Sequence, residues 1–356
     1  MIKVLMKKIY MTLIKCLDIF LKGNVDKNNI TVFMTFKEDV EPIIKSLINE
    51  NYKVTIIYHP KYENIVSDYK AYKTINMKNK YFLQQIAQIK KSRIIIIDTY
   101  YLLLGSITKP VNQTVIQTWH AAGALKKFGL EDKSVDLNNP KIVKQYLDVY
   151  HYTDFYLIGS DHMAEIFDVS LDAKPENMLK IGLPRLDKYK TNISKSKKKK
   201  IVLYAPTYRD YNMSSNIELN KELFEANCPE FELITKLHPA LSTPANEFTN
   251  ETRDIQTLMS LADVIITDYS SLSIEAAFLN KPVIFYVYDE DKYNSKRGLN
   301  KYYYEMTKTN KANNLKELYS LVNNHKINKN MNEMWHKYNN GNSTKLLLEF
   351  IKKEVG

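Results

Sequence analysis

The chain contains few of the residues on which several common classes of functional site depend. Of its 356 residues only nine are glycine and two, Cys16 and Cys228, are cysteine. Two cysteines provide no disulfide framework, which fits a reducing compartment. The sequences Gly-x-Gly-x-x-Gly, Gly-x-x-x-x-Gly-Lys, His-Glu-x-x-His and Cys-x-x-Cys are all absent. A Rossmann dehydrogenase of the usual kind, a P-loop ATPase and a zinc hydrolase are therefore disfavoured.

The composition is that of a folded globular protein. Hydrophobic residues make up 44% of the chain and charged residues 26%, which argues against disorder and against a fibrous protein. A length of 356 residues suggests two domains of ~150 residues each. The 51 lysines and arginines exceed the 40 acidic residues and give a formal net charge of +11. Such a charge attracts nucleic acid, an anionic membrane surface or phosphorylated small molecules, and does not choose between them.

Residues 1–22 are predicted to form an amphipathic basic helix. Lys8, Lys15 and Lys22 recur every seven residues on one face. Another face carries the apolar side chains Ile2, Leu5, Met6, Ile9, Leu13, Cys16, Leu17 and Phe20. The lysines interrupt any run of about 18 apolar residues, so the segment cannot span a bilayer, and no cleavage site of a signal peptide follows it. Contact with a membrane surface and packing as an ordinary first helix both remain open.

The rest of the chain alternates β-branched runs with helical patterns, which is typical of an α/β protein with parallel sheets. The predicted strands are 31–36, 53–58, 93–98, 114–119 and 155–159 in the first half, and 201–205, 231–237, 264–267 and 283–288 in the second. The stretch 190–200, KTNISKSKKKK, is predicted to be a solvated linker between domains 23–189 and 201–330. No aromatic residues interrupt its lysines, which disfavours a nucleic-acid site.

One group of candidate residues follows the predicted strand 114–119. Open parallel sheets bind ligands where their strands end, and His120 occupies that position. A histidine there suits general-base catalysis near neutral pH. Gly123, Lys126 and Lys127 come shortly after it. A histidine packed in the core is the alternative for His120 taken alone.

The strand ends of the second half supply groups that bind phosphate. Lys236 and His238 leave one strand at alternate positions, so they direct two cationic donors to one side. Arg209 follows another strand and offers a bidentate phosphate contact, and Arg297 is a further candidate. Surface side chains with no ligand are the alternative for each.

The sequence Asp268-Tyr269-Ser270-Ser271 joins the predicted strand 264–267 to a predicted helix over 272–279. The two serine hydroxyls, the first amides of the helix and its positive dipole end converge there on one point, which indicates an anion site. Glu275, one turn into the helix, is a candidate acceptor for ribose hydroxyls. Asp268 is a further candidate for binding the donor. A diphosphate fits a crevice lined by the strand ends of the second half, with Arg209, Lys236, His238, Ser270 and Ser271.

A metal site is a weaker candidate. Asp289-Glu290-Asp291 is the one Asp-x-Asp sequence, and such a pair can hold Mg²⁺ on a diphosphate. Because the cationic groups already supply the counter-charge, a solvated acidic loop is favoured there, and we expect no required cofactor and no metal ligand.

Several of these stretches resemble the CDP-glycerol glycerophosphotransferases of wall teichoic acid synthesis. The similar stretches are QTWHAAGALKKFG (117–129), IGLPRLDKY (181–189), LYAPTYRD (203–210), KLHP (236–239), ADVIITDYSSLSIEAAFLNKPVIFYVYD (262–289) and KRGLN (296–300). Within the family the chain is most similar to the glycerol-phosphate primases, through YYLLLG (100–105) and WHKYNN (335–340) and through the lack of a long N-terminal extension.

The resemblance implies a GT-B fold, in which two Rossmann-like domains face a cleft and the final helices, 331–356, return to the first domain. It implies that the first domain binds the acceptor, with His120 as base and with Gly123, Lys126, Lys127 and Arg185 as acceptor or phosphate contacts. It also implies that the second domain binds CDP-glycerol, with His238 at the donor phosphate. Ala121 departs from the glycine that polymerase relatives have after this histidine, and its methyl group narrows the acceptor entrance.

The reaction implied is transfer of sn-glycerol 3-phosphate from CDP-glycerol to the ManNAc-GlcNAc disaccharide on undecaprenyl diphosphate, with release of CMP. The expected location is the cytoplasmic face of the membrane, where an anionic surface and other teichoic acid enzymes are expected partners and nucleic acid is not. A transferase that extends a primed lipid or uses CDP-ribitol, a GT-B glycosyltransferase using a nucleotide sugar, and a non-catalytic binding protein are the alternatives.

Overall fold

The computed structural model describes residues 2–21, 23–189, 199–207, 209, 219–237 and 251–356. The chain divides into two compact units. Unit 1 consists of Met1–Ala121, Phe128–Lys188 and Lys337–Gly356, and unit 2 of Ala122–Lys127 and Tyr189–His336.

Unit 1 contains a seven-stranded parallel sheet. Its strands are β1 (Asp26–Met34), β2 (Lys53–Tyr58), β3 (Lys73–Asn76), β4 (Ser92–Ile97), β5 (Thr114–Gln117), β6 (Phe155–Leu157) and β7 (Met178–Leu179). Their order across the sheet is β3-β2-β1-β4-β5-β6-β7, with all neighbours parallel. The isoleucines 94–97 of β4 are buried, as expected of a central strand covered on both faces.

The helices of unit 1 are α1 (Ile2–Phe20), α2 (Lys37–Asn49), α3 (Phe82–Lys91), α4 (Pro140–Tyr150), α5 (Asp161–Leu171) and α13 (Ser343–Val355). Two of them begin at side chains that cap the first free amides. Asn139 caps α4 by accepting from the Lys141 amide, and Ser160 caps α5 by accepting from the Met163 amide.

Unit 2 contains a five-stranded parallel sheet. Its strands are β8 (Lys200–Tyr204), β9 (Phe231–Thr235), β10 (Val264–Thr267), β11 (Val283–Tyr286) and β12 (Lys311–Ala312), in the order β12-β11-β10-β8-β9. The helices of this unit are α6 (Lys221–Asn227), α7 (Ile255–Leu261), α8 (Leu272–Phe278), α9 (Glu290–Arg297), α10 (Lys301–Met306), α11 (Leu315–Asn323) and α12 (Lys329–Trp335).

The prediction of an α/β protein with parallel sheets is confirmed, and each predicted strand overlaps an observed one. Strand β5 ends at Gln117, two residues before its predicted end, because Trp119 has a φ of +64° that a strand does not contain. The prediction missed β3, β7 and β12, which have four residues or fewer and no long apolar run.

The division of the chain differs from the predicted domains at Tyr189, which belongs to unit 2, and at two further segments. Residues 122–127, predicted with the first domain, belong to unit 2. Residues 331–336, predicted to return with the C-terminal helices, also belong to unit 2, and residues 337–356 belong to unit 1. Most of the predicted linker, residues 190–198, lies outside the described residues.

Helix α1 packs on unit 1 through a face other than its apolar stripe. Ile14 is fully buried in the core, with Tyr10 packed beside it, and Asp18 accepts a hydrogen bond from the Thr108 amide at 2.9 Å. The apolar side chains of the stripe are instead exposed: Met6 63%, Ile9 61%, Leu13 47% and Phe20 81%. Lys22 lies outside the described residues. Within the described chain, no helix has the length and apolar character that crossing a membrane requires.

Candidate active site

In unit 1, β5 leads to His120 through a strained turn. Trp119, directly before the histidine, has a left-handed φ of +64°, which is uncommon for a bulky side chain. Its amide donates to the Gln117 side-chain oxygen at 3.0 Å, and the Gln117 amide group donates to the Thr99 carbonyl at 3.1 Å. These bonds support a backbone conformation of the kind that is often retained at functional sites.

The imidazole of His120 has a defined tautomer. Its Nδ1 lies 3.0 Å from the backbone carbonyl oxygen of Asp98. A carbonyl oxygen can only accept, so Nδ1 carries the proton and Nε2 keeps its lone pair. Nε2 has no hydrogen-bond partner among the residues that the structure describes. His120 is therefore in the form that a general base requires.

Aromatic neighbours keep His120 uncharged. The Phe36 ring stacks on the imidazole with centroids 4.4 Å apart and an interplanar angle of 13°, and the Trp119 ring lies at 4.4 Å. Burial lowers the pKa of His120 to about 4, against the hydrogen bond to Asp98, and the positive charge of Arg185 adds to the lowering. At neutral pH the imidazole carries no extra proton.

Arg185 is the one predicted acceptor contact that belongs to unit 1 with His120. Its Nη1 donates to the Oδ1 of Asp39 at 2.6 Å, and Asp39 is buried in the first turn of α2. The ion pair holds the guanidinium in the neighbourhood of His120, where its charge acts on the imidazole.

In unit 2, an ion cluster follows the ends of β8, β10 and β11. Arg209 is 1% exposed, and its Nε and Nη2 donate to the two carboxylate oxygens of Asp289 at 2.9 and 3.0 Å. Its Nη1 donates to Asp268 at 2.8 Å and to the Thr207 carbonyl at 2.6 Å. Burial acts to lower the pKa of Arg209, but its bonds and charge attractions to Asp289 and Asp268 raise it above the ordinary value.

The role predicted for Arg209 therefore needs correction. Its donors are directed at two carboxylates and a carbonyl, and its guanidinium lies 4.9 Å from the Tyr269 ring centroid and 5.1 Å from that of Tyr293. We interpret Arg209 as the residue that holds the cluster together, because a buried guanidinium paired in this way has little capacity left for a phosphate.

Two carboxylates predicted to bind the donor are also directed into the protein. Asp268 is buried and accepts from the Thr207 amide at 3.0 Å and from the Thr207 hydroxyl at 2.5 Å. Glu275 is buried and accepts from the Tyr189 hydroxyl at 2.5 Å. Glu275 therefore supports α8 from within unit 2, and the predicted contact with ribose is not what this geometry favours.

Ser270 and Ser271 lie between β10 and α8, as predicted. The Ser270 hydroxyl accepts from the Leu272 amide at 3.2 Å, and its carbonyl accepts from the Ser273 hydroxyl at 2.8 Å. Both serines are half-buried. The Ser271 hydroxyl has no hydrogen-bond partner in the part of the chain that the structure describes, so it remains available to a ligand.

Lys126 and Lys127 belong to unit 2, although they follow His120 closely in sequence. Lys126 pairs with Leu299 in an isolated antiparallel bridge, and the Lys127 amide donates to the Gly298 carbonyl at 3.0 Å. Their short sequence distance from His120 predicts an acceptor site shared with this histidine. The pairing with residues 298 and 299 places the two lysines in unit 2 instead.

Gly123 has a packing role in the same segment. It is buried, and a Cβ at this position would lie 2.5 Å from Cδ1 of Ile274 and 2.8 Å from the Trp335 ring. A larger residue would displace one of them. The predicted acceptor contact at Gly123 is therefore replaced by close packing within unit 2.

The ammonium group of Lys126 faces the ion cluster. Its Nζ lies 5.6 Å from the centroid of the Tyr293 ring, and it forms no hydrogen bond or ion pair with any described residue. Burial lowers the pKa of Lys126 to about 8; the negative charge of Asp268 opposes this, and the positive charges of Arg209 and Arg297 add to it. A desolvated cation without a hydrogen-bond or ion-pair partner is a candidate to bind an anionic ligand.

Three further donor candidates were predicted in the second half of the chain. Lys236 follows β9, and its Nζ donates to the Glu251 carbonyl at 2.8 Å. Arg297 is the exposed last residue of α9. His238 lies outside the described residues, so its predicted role at the donor phosphate stays a prediction.

Two of the three acidic residues in the Asp-x-Asp sequence are paired with cations of the protein. Asp289 pairs with Arg209 and accepts from the Tyr269 hydroxyl at 2.9 Å, while Glu290 pairs with Lys311 at 3.1 Å. These carboxylates are already compensated by cations and donors of the protein. Over the described residues, no group of three His, Cys, Asp or Glu side chains could hold a metal ion.

Sequence reasoning missed Phe36, Asp98 and Tyr293. Asp98 carried a weak signal, since it is an acidic residue at the end of a predicted strand, where ligand-binding groups collect. Phe36 and Tyr293 carried none, because an aromatic residue beside a functional group cannot be distinguished in sequence from one that fills the core.

Comparison with known proteins identifies the family of the chain. The family profile described as CDP-glycerol:poly(glycerophosphate) glycerophosphotransferase matches residues 17–353. A teichoic acid glycerol-phosphate primase of Staphylococcus aureus is 44% identical over 312 residues, which cover 84% of each chain. One of Bacillus subtilis is 33% identical over 320 residues, again 84% of each. Among solved structures, the wall teichoic acid polymerase TagF has the same fold, with a TM-score of 0.78 and 19% identity over 100% of this chain and 98% of TagF.

Proposed function

Because this chain belongs to the CDP-glycerol:poly(glycerophosphate) glycerophosphotransferase family, we propose that it is a teichoic acid glycerol-phosphate primase. It transfers one sn-glycerol 3-phosphate from CDP-glycerol to the ManNAc-GlcNAc disaccharide on undecaprenyl diphosphate and releases CMP. Units 1 and 2 correspond in this proposal to the acceptor and donor domains of a GT-B enzyme that face a cleft, with α13 returning to the acceptor domain.

The base in this reaction is Nε2 of His120. It removes the proton of the attacking sugar hydroxyl while the hydroxyl oxygen bonds to the β-phosphorus of CDP-glycerol. The bond from that phosphorus to the oxygen shared with CMP breaks, and CMP leaves with the electron pair. The single observation that carries this assignment is the hydrogen bond from Nδ1 to the Asp98 carbonyl, which leaves Nε2 as the basic nitrogen.

The donor diphosphate binds to unit 2. Lys126 supplies a cation that forms no hydrogen bond or ion pair with any described residue, and Ser271 supplies a hydroxyl with no hydrogen-bond partner among them, at the start of α8. Lys236, Arg297 and His238 are proposed to complete the set. Preorganised donors of this kind stabilise the charge that develops on the leaving phosphate.

We propose that no resident cofactor takes part. Asp289 is paired with Arg209 and the neighbouring Glu290 with Lys311, so in this proposal a magnesium ion at the diphosphate binds as a counter-ion of the substrate rather than through these two side chains.

The lipid-linked acceptor requires access to a membrane, and α1 supports such access. The side chains of Met6, Ile9, Leu13 and Phe20 are exposed on one stripe, and Lys8 and Lys15 are exposed on another face of the helix. A helix with this pattern lies in the interface between headgroups and acyl chains, with its lysines near anionic lipid. We propose a peripheral location on the cytoplasmic face of the membrane.

Mass measurement of the product tests the proposal. The enzyme is incubated with CDP-glycerol and a short-chain lipid-linked disaccharide, and one added glycerol phosphate is expected. Many added units would indicate a polymerase instead. Parallel incubations with CDP-ribitol, with a nucleotide sugar and with an already primed acceptor separate the alternative transferases, since each predicts turnover in one of those mixtures alone.

A further inference from the structure

Asp98 binds the loop between β1 and α2 through its side chain. The carboxylate is fully buried. Its Oδ2 accepts from the amides of Thr35 at 2.7 Å and Phe36 at 2.6 Å, and its Oδ1 accepts from the Tyr101 hydroxyl at 2.5 Å. Three donors on one carboxylate fix the position of Phe36 relative to the end of β4.

The ring of Phe36 stacks on the imidazole of His120. The two rings are nearly parallel, at 13°, with centroids 4.4 Å apart. The backbone carbonyl of the same residue, Asp98, accepts the Nδ1 proton of His120. One residue therefore controls both the tautomer of the imidazole and the ring that stacks on it.

We propose that Asp98 and Phe36 are positioning residues for the catalytic base, Asp98 through its carbonyl and carboxylate and Phe36 through its stacked ring. This inference rests on the proposed function of His120. Neither residue contacts a reacting atom: both act through the imidazole, by aiming Nε2 and by excluding water from the other face of the ring.

The stack also affects the protonated form of His120. When Nε2 takes a proton, the imidazolium gains from the electron-rich face of Phe36 and from a stronger bond of Nδ1 to the carbonyl. The charged groups around it are the Arg185–Asp39 pair, Lys61, whose Nζ lies 5.5 Å from the Phe36 ring centroid, and the buried Asp98–Tyr101 pair. Removal of the Phe36 ring admits water, which favours the imidazolium more than the stack does, since desolvation is the largest cause of the lowered pKa.

Phe36→Ala is the first variant, since it leaves in place every group that donates a hydrogen bond to the Asp98 carboxylate. We expect kcat to fall ~10- to 100-fold with an unchanged KM for CDP-glycerol. In the pH profile of kcat/KM, the midpoint of the fall on the acidic side should move from a pH of about 4 towards pH 6.5, since about 6.5 is the pKa of a solvated histidine. Phe350→Ala is the matched control, because Phe350 packs on Phe155 at 5.0 Å in the same unit and contacts no site residue.

Asp98→Ala and Asp98→Asn form the second pair of variants. Asparagine keeps the geometry, because its oxygen can accept the two amides and its nitrogen can donate to Tyr101, whose hydroxyl then donates to Thr35. We expect Asp98→Asn to retain most of the activity that Asp98→Ala loses. Nitrogen-15 spectra of labelled histidine, assigned with His120→Ala, should show Nδ1–H alone in wild type and a mixture of tautomers in Asp98→Ala and Phe36→Ala.

An unchanged acidic limb and an unchanged tautomer in Phe36→Ala would overturn the inference, even if His120 itself proves essential. Full activity of His120→Ala would instead overturn the proposed base. If Asp98→Ala does not fold, the Phe36 variant decides the question by itself.

Discussion

Arg209 and Asp289 form a buried ion pair through two parallel hydrogen bonds, of 2.9 and 3.0 Å. The residues follow different strands of unit 2 and are far apart in sequence, yet the guanidinium matches the carboxylate in both position and orientation. The pair leaves the side chain of Arg209 only 1% exposed and joins the ends of three strands into one cluster.

Removal of one partner should destabilise the protein. In Arg209→Leu, Asp289 and Asp268 remain buried without their cation, and loss of one member of a buried pair typically costs about 3–5 kcal/mol. Thermal unfolding of the variant should begin at a much lower temperature than that of wild type. Lys200→Ala is the control, because the Lys200–Glu230 pair of the same unit is exposed and should contribute little. An Arg209 variant that unfolds like this control would contradict a structural role.

His120→Ala should abolish most of the turnover. Loss of a general base usually lowers kcat by ~100-fold or more, while CDP-glycerol, which binds to unit 2, should keep its affinity. Single-turnover release of CMP measures the rate of the chemical step, and calorimetry measures the affinity for CDP-glycerol. His151→Ala, an exposed histidine of unit 1 that pairs with Asp172, should behave as wild type. Equal activity of the two variants would remove His120 from the mechanism.

Lys126→Met should weaken binding of CDP-glycerol by about tenfold or more, the scale of one charge-assisted hydrogen bond. Wild-type affinity should also fall as the pH rises through about 8, where Lys126 loses its charge, and the variant should lack this dependence. Calorimetric titrations at pH 7 and pH 9 in each protein, with the exposed Lys296→Met as control, measure both effects. Equal loss of affinity at high pH in wild type and variant would assign the titration to another group.

His336 should make the protein less stable in mild acid. Burial lowers the pKa of His336 from 6.5 to about 4. Between pH 6.5 and pH 4, the histidine therefore binds a proton in the unfolded chain but not in the folded chain. Above pH 6.5 neutral His336 therefore costs no stability. Below pH 6.5 the free energy of unfolding declines by about 1.4 kcal/mol for each pH unit, down to about pH 4. His336→Gln keeps a donor for the Ile274 carbonyl, which His336 Nε2 contacts at 2.7 Å, and should flatten this part of the curve. Urea unfolding of both proteins from pH 7 to pH 4 measures this dependence on pH. An equal fall of the unfolding free energy in wild type and variant would contradict the prediction.

The exposed stripe of α1 should bind anionic vesicles. Ile9→Ser with Leu13→Ser removes two exposed apolar side chains and should reduce sedimentation with such vesicles while leaving thermal stability near normal. Lys8→Glu with Lys15→Glu should weaken binding as well, by about 1 kcal/mol for each charge removed near the surface. Ile14→Ala, on the buried face, should lower stability instead. Vesicle binding that survives both pairs of substitutions would show that α1 is only a packed first helix.

The sequence by itself determined the class of the fold and the family. Apolar runs such as residues 94–97 define central parallel strands, because a strand covered on both faces must be apolar along its length. The ends of such strands made His120, Ser270 and Ser271 candidates for the site, since strand ends are where parallel sheets bind ligands. Both inferences depend on neighbours within a few residues, and such local patterns can be read directly from a sequence.

The tertiary structure alone decided which way each polar side chain faces. Arg209, Asp268 and Glu275 had the chemistry of a phosphate and ribose site, and the structure directs them to Asp289, Thr207 and Tyr189 inside unit 2. Lys126, six residues after His120, joins the other unit because its backbone pairs with Leu299. Burying a charged group is costly unless an opposite charge or a hydrogen-bonding group pairs with it. The fold brings such groups together from distant parts of the chain, so local sequence does not show them.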